Sequence, residues 1–340
     1  MGDLWQYYES PLIDGGEFGP HQDKIDDPLP EGPLKSKNEL RLIGIVRHSK
    51  DRPTKMELIQ DGPLYSKVKV QGDLVSQEGQ RISFTPWKIP FTQYTTIYKN
   101  LRRIDFTTEI HPEKGKYYRI RAAFPTTIKN GRVDHEIPFG KITRPQGEFA
   151  ALNWISYSDN EKGICLLNKG LPGNNVTDGI MMLSLMRSVA MEYKGPSKDA
   201  FEENTDHSFS YAIIPFSKAE EKNLNFSWQV QQFNMPLYYH IEDNKGISSK
   251  QDKGISGLFT WGPQNIICSA LKMSNKKIIL RVYESEGRKT ECKIISSLKI
   301  TKCEEANCLE ESTTNLNLNG NSFEIKLTPF EIKTFLLDFI

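Results

Sequence analysis

The chain is written in short alternations. Apolar residues recur at every second position in Leu40–Arg47, Ser66–Gln71, Arg81–Phe84, Thr92–Tyr98, Ile104–Ile110 and Tyr118–Phe124. The period returns in Ile164–Leu167, Met181–Met186, Phe209–Ile214, Ile278–Tyr283, Phe323–Leu327 and Lys333–Leu337. A period of two sends successive side chains to opposite faces of an extended backbone, so each run predicts a strand. Gly, Pro, Asn or Asp bounds each run, as strands require. Helical signals are weak: no 3.6-residue apolar stripe exceeds about three turns. Many short strands with turn signals between them predict β-sandwiches with mostly antiparallel pairing.

Between these runs lie stretches of another kind. Residues 9–37 are rich in Gly, Pro and acidic groups and predict a long loop, a feature that is often functional. Lys218–Lys222 and Asp243–Lys253 are polar runs around a short apolar piece, Phe233–Ile241. They predict a large β domain over 1–235, a connecting segment over 236–254 and a smaller β domain over 255–340. The smaller domain ends in an apolar strand expected to tuck into a sheet.

Composition narrows the function without choosing it. The 340 residues suffice for two domains. Their 44 basic and 43 acidic side chains leave a net charge of +1, which gives no electrostatic case for nucleic acid or an anionic membrane. No apolar run approaches the length of a membrane span. Met1–Gln6 has no secretory apolar core, and Gln6 breaks the myristoylation pattern. The five cysteines, Cys165, Cys268, Cys292, Cys303 and Cys308, show no CxxC pair. Reduced thiols in a cytoplasmic protein are the reading they favour, with a Cys303–Cys308 bridge as the alternative. Asn175-Val176-Thr177 and Asn225-Phe226-Ser227 are glycosylation triplets by pattern alone.

Some motifs make physical sense unaided. Gly170-Leu171-Pro172-Gly173-Asn174-Asn175 places turn formers in succession, so the chain reverses after Leu167. Ala151–Ile155 opens a strand whose Trp154 needs an apolar bed and a partner for its indole N–H. Leu183–Arg187 is a strand with an arginine leaving its end, either an ion-pair partner or a fork of donors aimed at a ligand.

Taken in order, HEIPFG at His135–Gly140, RPQGEFAALNWISYSD at Arg144–Asp159, NKGLPGNNVTDG at Asn168–Gly179, LSLMRS at Leu183–Ser188 and DHSFSYAIIP at Asp206–Pro215 resemble the C-terminal half of family 38 glycoside hydrolases, the α-mannosidases. Gly2–Tyr7 is similar to the segment that opens that family's large β super-sandwich. Ser269–Lys272, Leu280–Glu284 and Pro329–Phe335 are similar to its final sandwich. The resemblance covers nearly the whole chain and is closest to the bacterial type. It implies an all-β fold, with a large galactose mutarotase-like super-sandwich followed by a small C-terminal β-sandwich. It also implies retaining hydrolysis of terminal α-linked mannose, with a zinc ion and an Asp nucleophile carried by an N-terminal catalytic barrel. That chemistry needs two carboxyl groups about 5 Å apart and a His/carboxylate zinc site. The six histidines lie on separate segments without paired-ligand spacing. The expectation is therefore a chain that lacks the barrel and holds no catalytic residue, metal ligand or cofactor of its own. Its partners would be that barrel, in cis or in trans, and a mannose-containing saccharide.

The resemblance maps a sugar-contacting aromatic onto Trp5 and a sugar-contacting arginine onto Arg187. The family often has Tyr at the first position, so Trp5 would lose a phenolic hydrogen bond and keep a stacking face. Arg187 could instead pair internally with Glu202, Glu203 or Asp206, and Trp5 could be core. His135 and Glu136 are candidate substrate-side residues whose alternative is a structural polar pair. His207 reads as a strand-end histidine. Asp159, Glu148 and Asp199 could supply a carboxylate pair, but no spacing selects them. Trp87, Trp154, Trp228 and Trp261 suit packing better than carbohydrate platforms. The leading function is the bracing β portion of an α-mannosidase, inactive alone. The alternatives are a stand-alone carbohydrate-binding module, and a lyase or hydrolase on a mutarotase-like sandwich.

Overall fold

A computed structural model describes residues 5–9, 45–48, 54–75, 88–112, 118–188, 205–221, 223–235, 257–274 and 276–340. Only the backbone is described at 5–9, 45–48, 75, 88, 118–119 and 187–188. The predicted loop over 9–37, the predicted strand at Arg81–Phe84, and Trp87, Asp199, Glu202 and Glu203 fall outside these residues, apart from the backbone of Glu9.

By internal packing the chain divides into two units, Met1–His135 with Thr143–Lys222, and Glu136–Ile142 with Asn223–Ile340. The sequence placed a boundary near 235. By packing, residues 136–142 and 223–235 group with the second unit.

The strands of the first part of the chain are β1 (Trp5–Glu9), β2 (Ile45–His48), β3 (Lys55–Asp61), β4 (Tyr65–Val75), β5 (Lys88–Tyr98), β6 (Ile104–Ile110), β7 (Tyr118–Pro125) and β8 (Arg132–Ile137). They continue as β9 (Gly140–Arg144), β10 (Gly147–Ala150), β11 (Trp154–Ser158), β12 (Lys162–Asn168), β13 (Gly173–Thr177), β14 (Ile180–Ser188) and β15 (His207–Ser217). One sheet has six strands in the order β10-β13-β14-β7-β1-β2, the other nine in the order β3-β4-β5-β6-β15-β12-β11-β8-β9. The pairings are antiparallel, as the alternating runs require.

One core lies between the two sheets. Ile120, Ala122 and Phe124 of β7 with Met181, Leu183 and Leu185 of β14 pack with Phe106 and Ile110 of β6, Ile155 of β11 and Tyr211 of β15. Tyr211 is fully buried, stacked on Phe106 with ring centroids 5.4 Å apart. Gln93 Nε2 donates to its hydroxyl at 3.0 Å, and Thr108 Oγ1 lies 2.9 Å away. Burial therefore raises the phenol pKa without leaving the oxygen unpartnered.

Local chemistry explains the crossings. The turn formers at Gly170–Asn175 carry the chain from β12 in one sheet to β13 in the other. Gly170 takes φ +73°, and Asn168 Oδ1 accepts the Leu171 N–H at 2.9 Å. Between β13 and β14 only Asp178 and Gly179 remain, at φ +50° and +77°. A two-residue hairpin with both φ positive favours Asp-Gly. A Cβ on Gly179 would sit 2.9 Å from the Ile128 carbonyl oxygen.

Among the described residues two helices follow β15, α1 (Lys218–Glu221) and α2 (Phe226–Asn234). The alternation predicts no helix here, yet Phe226, Val230 and Phe233 stand at helical spacing behind the N-cap Asn225. Asn225 Oδ1 accepts the Trp228 N–H at 2.7 Å. The last strands are β16 (Phe259–Gly262), β17 (Ile266–Ser274), β18 (Lys277–Glu284), β19 (Thr290–Ser296), β20 (Ile300–Ala306), β21 (Ser312–Asn315), β22 (Ser322–Leu327) and β23 (Ile332–Phe339). They form a three-stranded sheet, β16-β19-β22, and a five-stranded sheet, β17-β18-β23-β20-β21, around a second core of residues such as Ile294, Phe323 and Phe335. The apolar terminal run β23 sits between β18 and β20. All five cysteines are free thiols. Burial pushes Cys292 up to about 11 and Cys303 up to about 12, the latter helped by Glu304 and Glu305.

Glu284 anchors the second unit. It is fully buried, and its carboxylate accepts Asn265 Nδ2 at 2.8 Å and the backbone N–H groups of Glu286, Gly287, Arg288 and Phe330 at 2.7–3.1 Å. Burial pulls this carboxyl upward, and the donors outweigh it, so it titrates below the ordinary glutamate range. A depressed folded pKa stabilises above the unfolded value of about 4.3 and is lost as pH falls through the folded value. Glu284→Gln leaves donors facing a donor. Denaturant titration should show a loss of about 1–3 kcal/mol at pH 7, shrinking on acidification below pH ~4 as the wild type loses its own contribution. Equal stability of the two proteins at pH 7 would contradict it.

Candidate functional site

The mapped residues fall on the six-stranded sheet and on the β8–β9 hairpin. Strands β1 and β14 both flank β7. Trp5 pairs in register with Ala122 and Arg187 with Arg119. These β7 positions are three apart, roughly 10 Å along the strand, and have opposite parity. A register shift in β14 between Ser184 and Met186 precedes Arg187. The side chains of Trp5 and Arg187 lie outside the described residues.

The non-core face of this sheet carries a group that sequence reasoning missed. Arg121, between the core residues Ile120 and Ala122, is buried to 1% exposure. Its Nη2 donates to Glu148 Oε2 at 2.6 Å, and Nη1 lies 3.5 Å from Met182 Sδ. Glu148 pairs in register with Asn175, which is buried and accepts Thr177 Oγ1 at 2.7 Å. The alternation Arg119-Ile120-Arg121-Ala122 was the available signal: an arginine opposite the core in a central strand needs a partner.

His135 and Glu136 are neighbours in β8 and go to different places. His135 belongs to the first unit, Glu136 to the second. His135 is 1% exposed, with its ring edge-on to Phe149 at 5.7 Å. Burial first, then the nearby Arg144 guanidinium, lower its pKa to about 4 against the pull of Asp134. It is neutral at pH 7. Glu136 is buried near Tyr283, whose phenol is pushed up to about 12 by burial and then by that carboxylate.

The rest of HEIPFG is used in packing. Phe139 turns at φ +60° and meets Tyr283 edge-on at 5.4 Å. A Cβ on Gly140 would lie 3.0 Å from the Phe330 ring. Lys141 pairs with Glu286, which also accepts Asn225 Nδ2 at 3.2 Å. Among the other candidates, Trp154 is buried core, and Trp261 Nε1 donates to the Ile266 carbonyl at 2.9 Å. His207 starts β15, stacked parallel on Phe209. Asp159 lies half-buried just past β11, accepting the backbone N–H groups of Glu161 and Lys162.

Among the described residues no three His, Cys, Asp or Glu side chains converge as metal ligands. These residues therefore do not fit the zinc ion implied for the barrel. No helix among them is long and apolar enough to cross a membrane.

Residues 44–195 match the model of the glycosyl hydrolases family 38 C-terminal domain, and residues 265–335 match that of the family 38 C-terminal beta sandwich domain. The chain is 25% identical over 256 residues to alpha-mannosidase 2C1 of Mus musculus, covering 69% of this chain and 23% of that protein. It is 26% identical over 273 residues to the alpha-mannosidase of Saccharomyces cerevisiae, covering 70% and 24%. The chain thus spans about a quarter of the length of these curated relatives. Its fold matches the crystal structure of an alpha-mannosidase from Enterococcus faecalis V583 with a TM-score of 0.72 and 16% identity, over 99% of this chain and 38% of that one.

Removing Glu148 would leave the buried Arg121 guanidinium without its carboxylate. Glu148→Leu should cost about 3–5 kcal/mol by denaturant unfolding, and Arg121→Met with Glu148→Leu together should cost less than Glu148→Leu alone. Additive losses would show that the two do not act as a pair.

Proposed function

The chain belongs to the C-terminal portion of the family 38 glycosyl hydrolases, and from that premise we propose that it is the β half of a cytoplasmic α-mannosidase. The reaction is hydrolysis of terminal α-linked mannose. In this reading the zinc ion and the carboxylates of a retaining mechanism come from a catalytic barrel, in cis or in trans. The chain braces that barrel and closes one side of the sugar pocket. The observation that carries the reading is the match of two family 38 C-terminal domain models in one chain, at 44–195 and 265–335.

Each residue has a physical task. Arg187 would offer its fork of donors to sugar hydroxyls, a geometry lysine cannot reproduce. Trp5 would present a ring face to a pyranose. His135 and Glu136 would hold the hairpin at the rim: the neutral imidazole packs on Phe149 and the carboxylate faces Tyr283.

Aryl α-mannoside turnover is the test, measured with zinc for the chain alone and for the chain combined with a family 38 catalytic domain. The chain alone should be silent. In the combined protein Arg187→Ala should lower kcat/KM by about 10- to 100-fold, the value of one or two charge-assisted contacts. Turnover by the chain alone, abolished by a substitution within it, would overturn the division of labour. Saccharide binding by a chain that never supports hydrolysis would favour the stand-alone binding module.

A further inference from the structure

Strands β5, β6 and β15 lie side by side, and their register sorts side chains into two layers. Phe91, Ile110 and His207 are cross-strand partners in the layer of Phe106 and Tyr211. One residue along, Thr92, Glu109 and Ser208 are partners in a row on the opposite face. Past the end of β6, His111 Nδ1 lies 2.8 Å from Asp206 Oδ1, and the His111 N–H reaches the Pro90 carbonyl at 3.4 Å. Together they wall an open cleft of about 450 Å³, within the usual range of ligand pockets.

The cleft's position is not arbitrary. The end of β6 leads to the start of β7, and the end of β14 leads to the start of β15. Ser188 pairs with Tyr118, and His207 pairs with Ile110. In each sheet two strand ends therefore lie side by side, β6 with β15 and β7 with β14, and Arg187 stands near the end of β14. Connections at the ends of a sandwich are where a rigid scaffold presents binding groups.

The lining chemistry selects the ligand. Among the described residues its lining has two carboxylates, two imidazoles and two hydroxyls, and no lysine or arginine. Such a wall disfavours an anion and is rich in acceptors for O–H donors. These side chains stand in rows across a sheet, about 4.8 Å apart between strands, rather than around one point as a cation requires. The Asp206 and His111 side chains are 93% and 47% exposed, so a ligand can reach them.

We propose that this cleft binds the hydroxyl-bearing edge of a neutral saccharide, with Glu109 and the His111–Asp206 pair as its hydrogen-bonding groups. The mannose class is borrowed from the function proposed above; the residues are chosen on geometry alone.

Methyl α-D-mannoside and an α-linked mannobiose, titrated into the full chain by calorimetry or NMR, test it. Wild type should bind, Glu109→Ala and His111→Ala should each bind about tenfold more weakly or worse, and Lys326→Ala on the exposed Lys326–Glu291 pair should match wild type. Unchanged thermal transitions would show that the variants fold. Failure of the wild-type chain to bind either sugar, or undiminished binding by both variants, would overturn the inference. So would binding that EDTA abolishes, since a cation would then be the contact. These results are independent of the hydrolysis assay that tests the family reading.

Discussion

An extended backbone offers its side chains only two directions, and this protein's architecture follows from how each strand divides them. In β6 the even positions Ile104, Phe106, Thr108 and Ile110 go to the core layer, and the odd positions are left for other work. In β7 the same division gives Ile120 and Ala122 to the core and Arg121 to the other face. A one-residue slip would exchange the two sets, so the apolar core fixes where every polar group can stand. Burying the shared core of the two large sheets is therefore what positions any chemistry the first unit has.

The polar groups that are buried anyway are managed in different ways. Tyr211 shares its hydroxyl with Gln93 and Thr108, so a phenol sits in an apolar layer with its hydrogen bonds made. Arg121 has a carboxylate. Among the described residues Glu284 forms no ion pair and instead collects an amide and four backbone N–H groups. The Glu284 solution also fixes neighbouring backbone, and unmaking half of any of the three costs more than never having had it. In the HEIPFG hairpin Glu136 and Phe139 are spent in packing on Tyr283.

The period-two runs at Ile104–Ile110, Tyr118–Phe124 and Phe323–Leu327 became strands with nearly those bounds, because half-buried strands advertise themselves by alternation. Strand β3 hid because it has no buried face to create a pattern. Strand β13 hid because Gly173-Asn174-Asn175 are turn formers recruited into a sheet. Helix α2 was missed because about two turns carry too few periodic positions, although its cap was legible. Of the candidate site, the motif order pointed to Arg187 and the hairpin. The Arg121–Glu148 pair depends on β7, β13 and β10 sharing a sheet, which no local pattern encodes.

The two asparagine triplets acquire a meaning that pattern alone withheld. Asn225 is the buried cap of α2, and Asn175 is a buried rung of the six-stranded sheet. An oligosaccharyl group is far too bulky for either position in the finished molecule. Attachment of glycan and completion of these domains are thus mutually exclusive events at both asparagines, and whichever occurs first forbids the other.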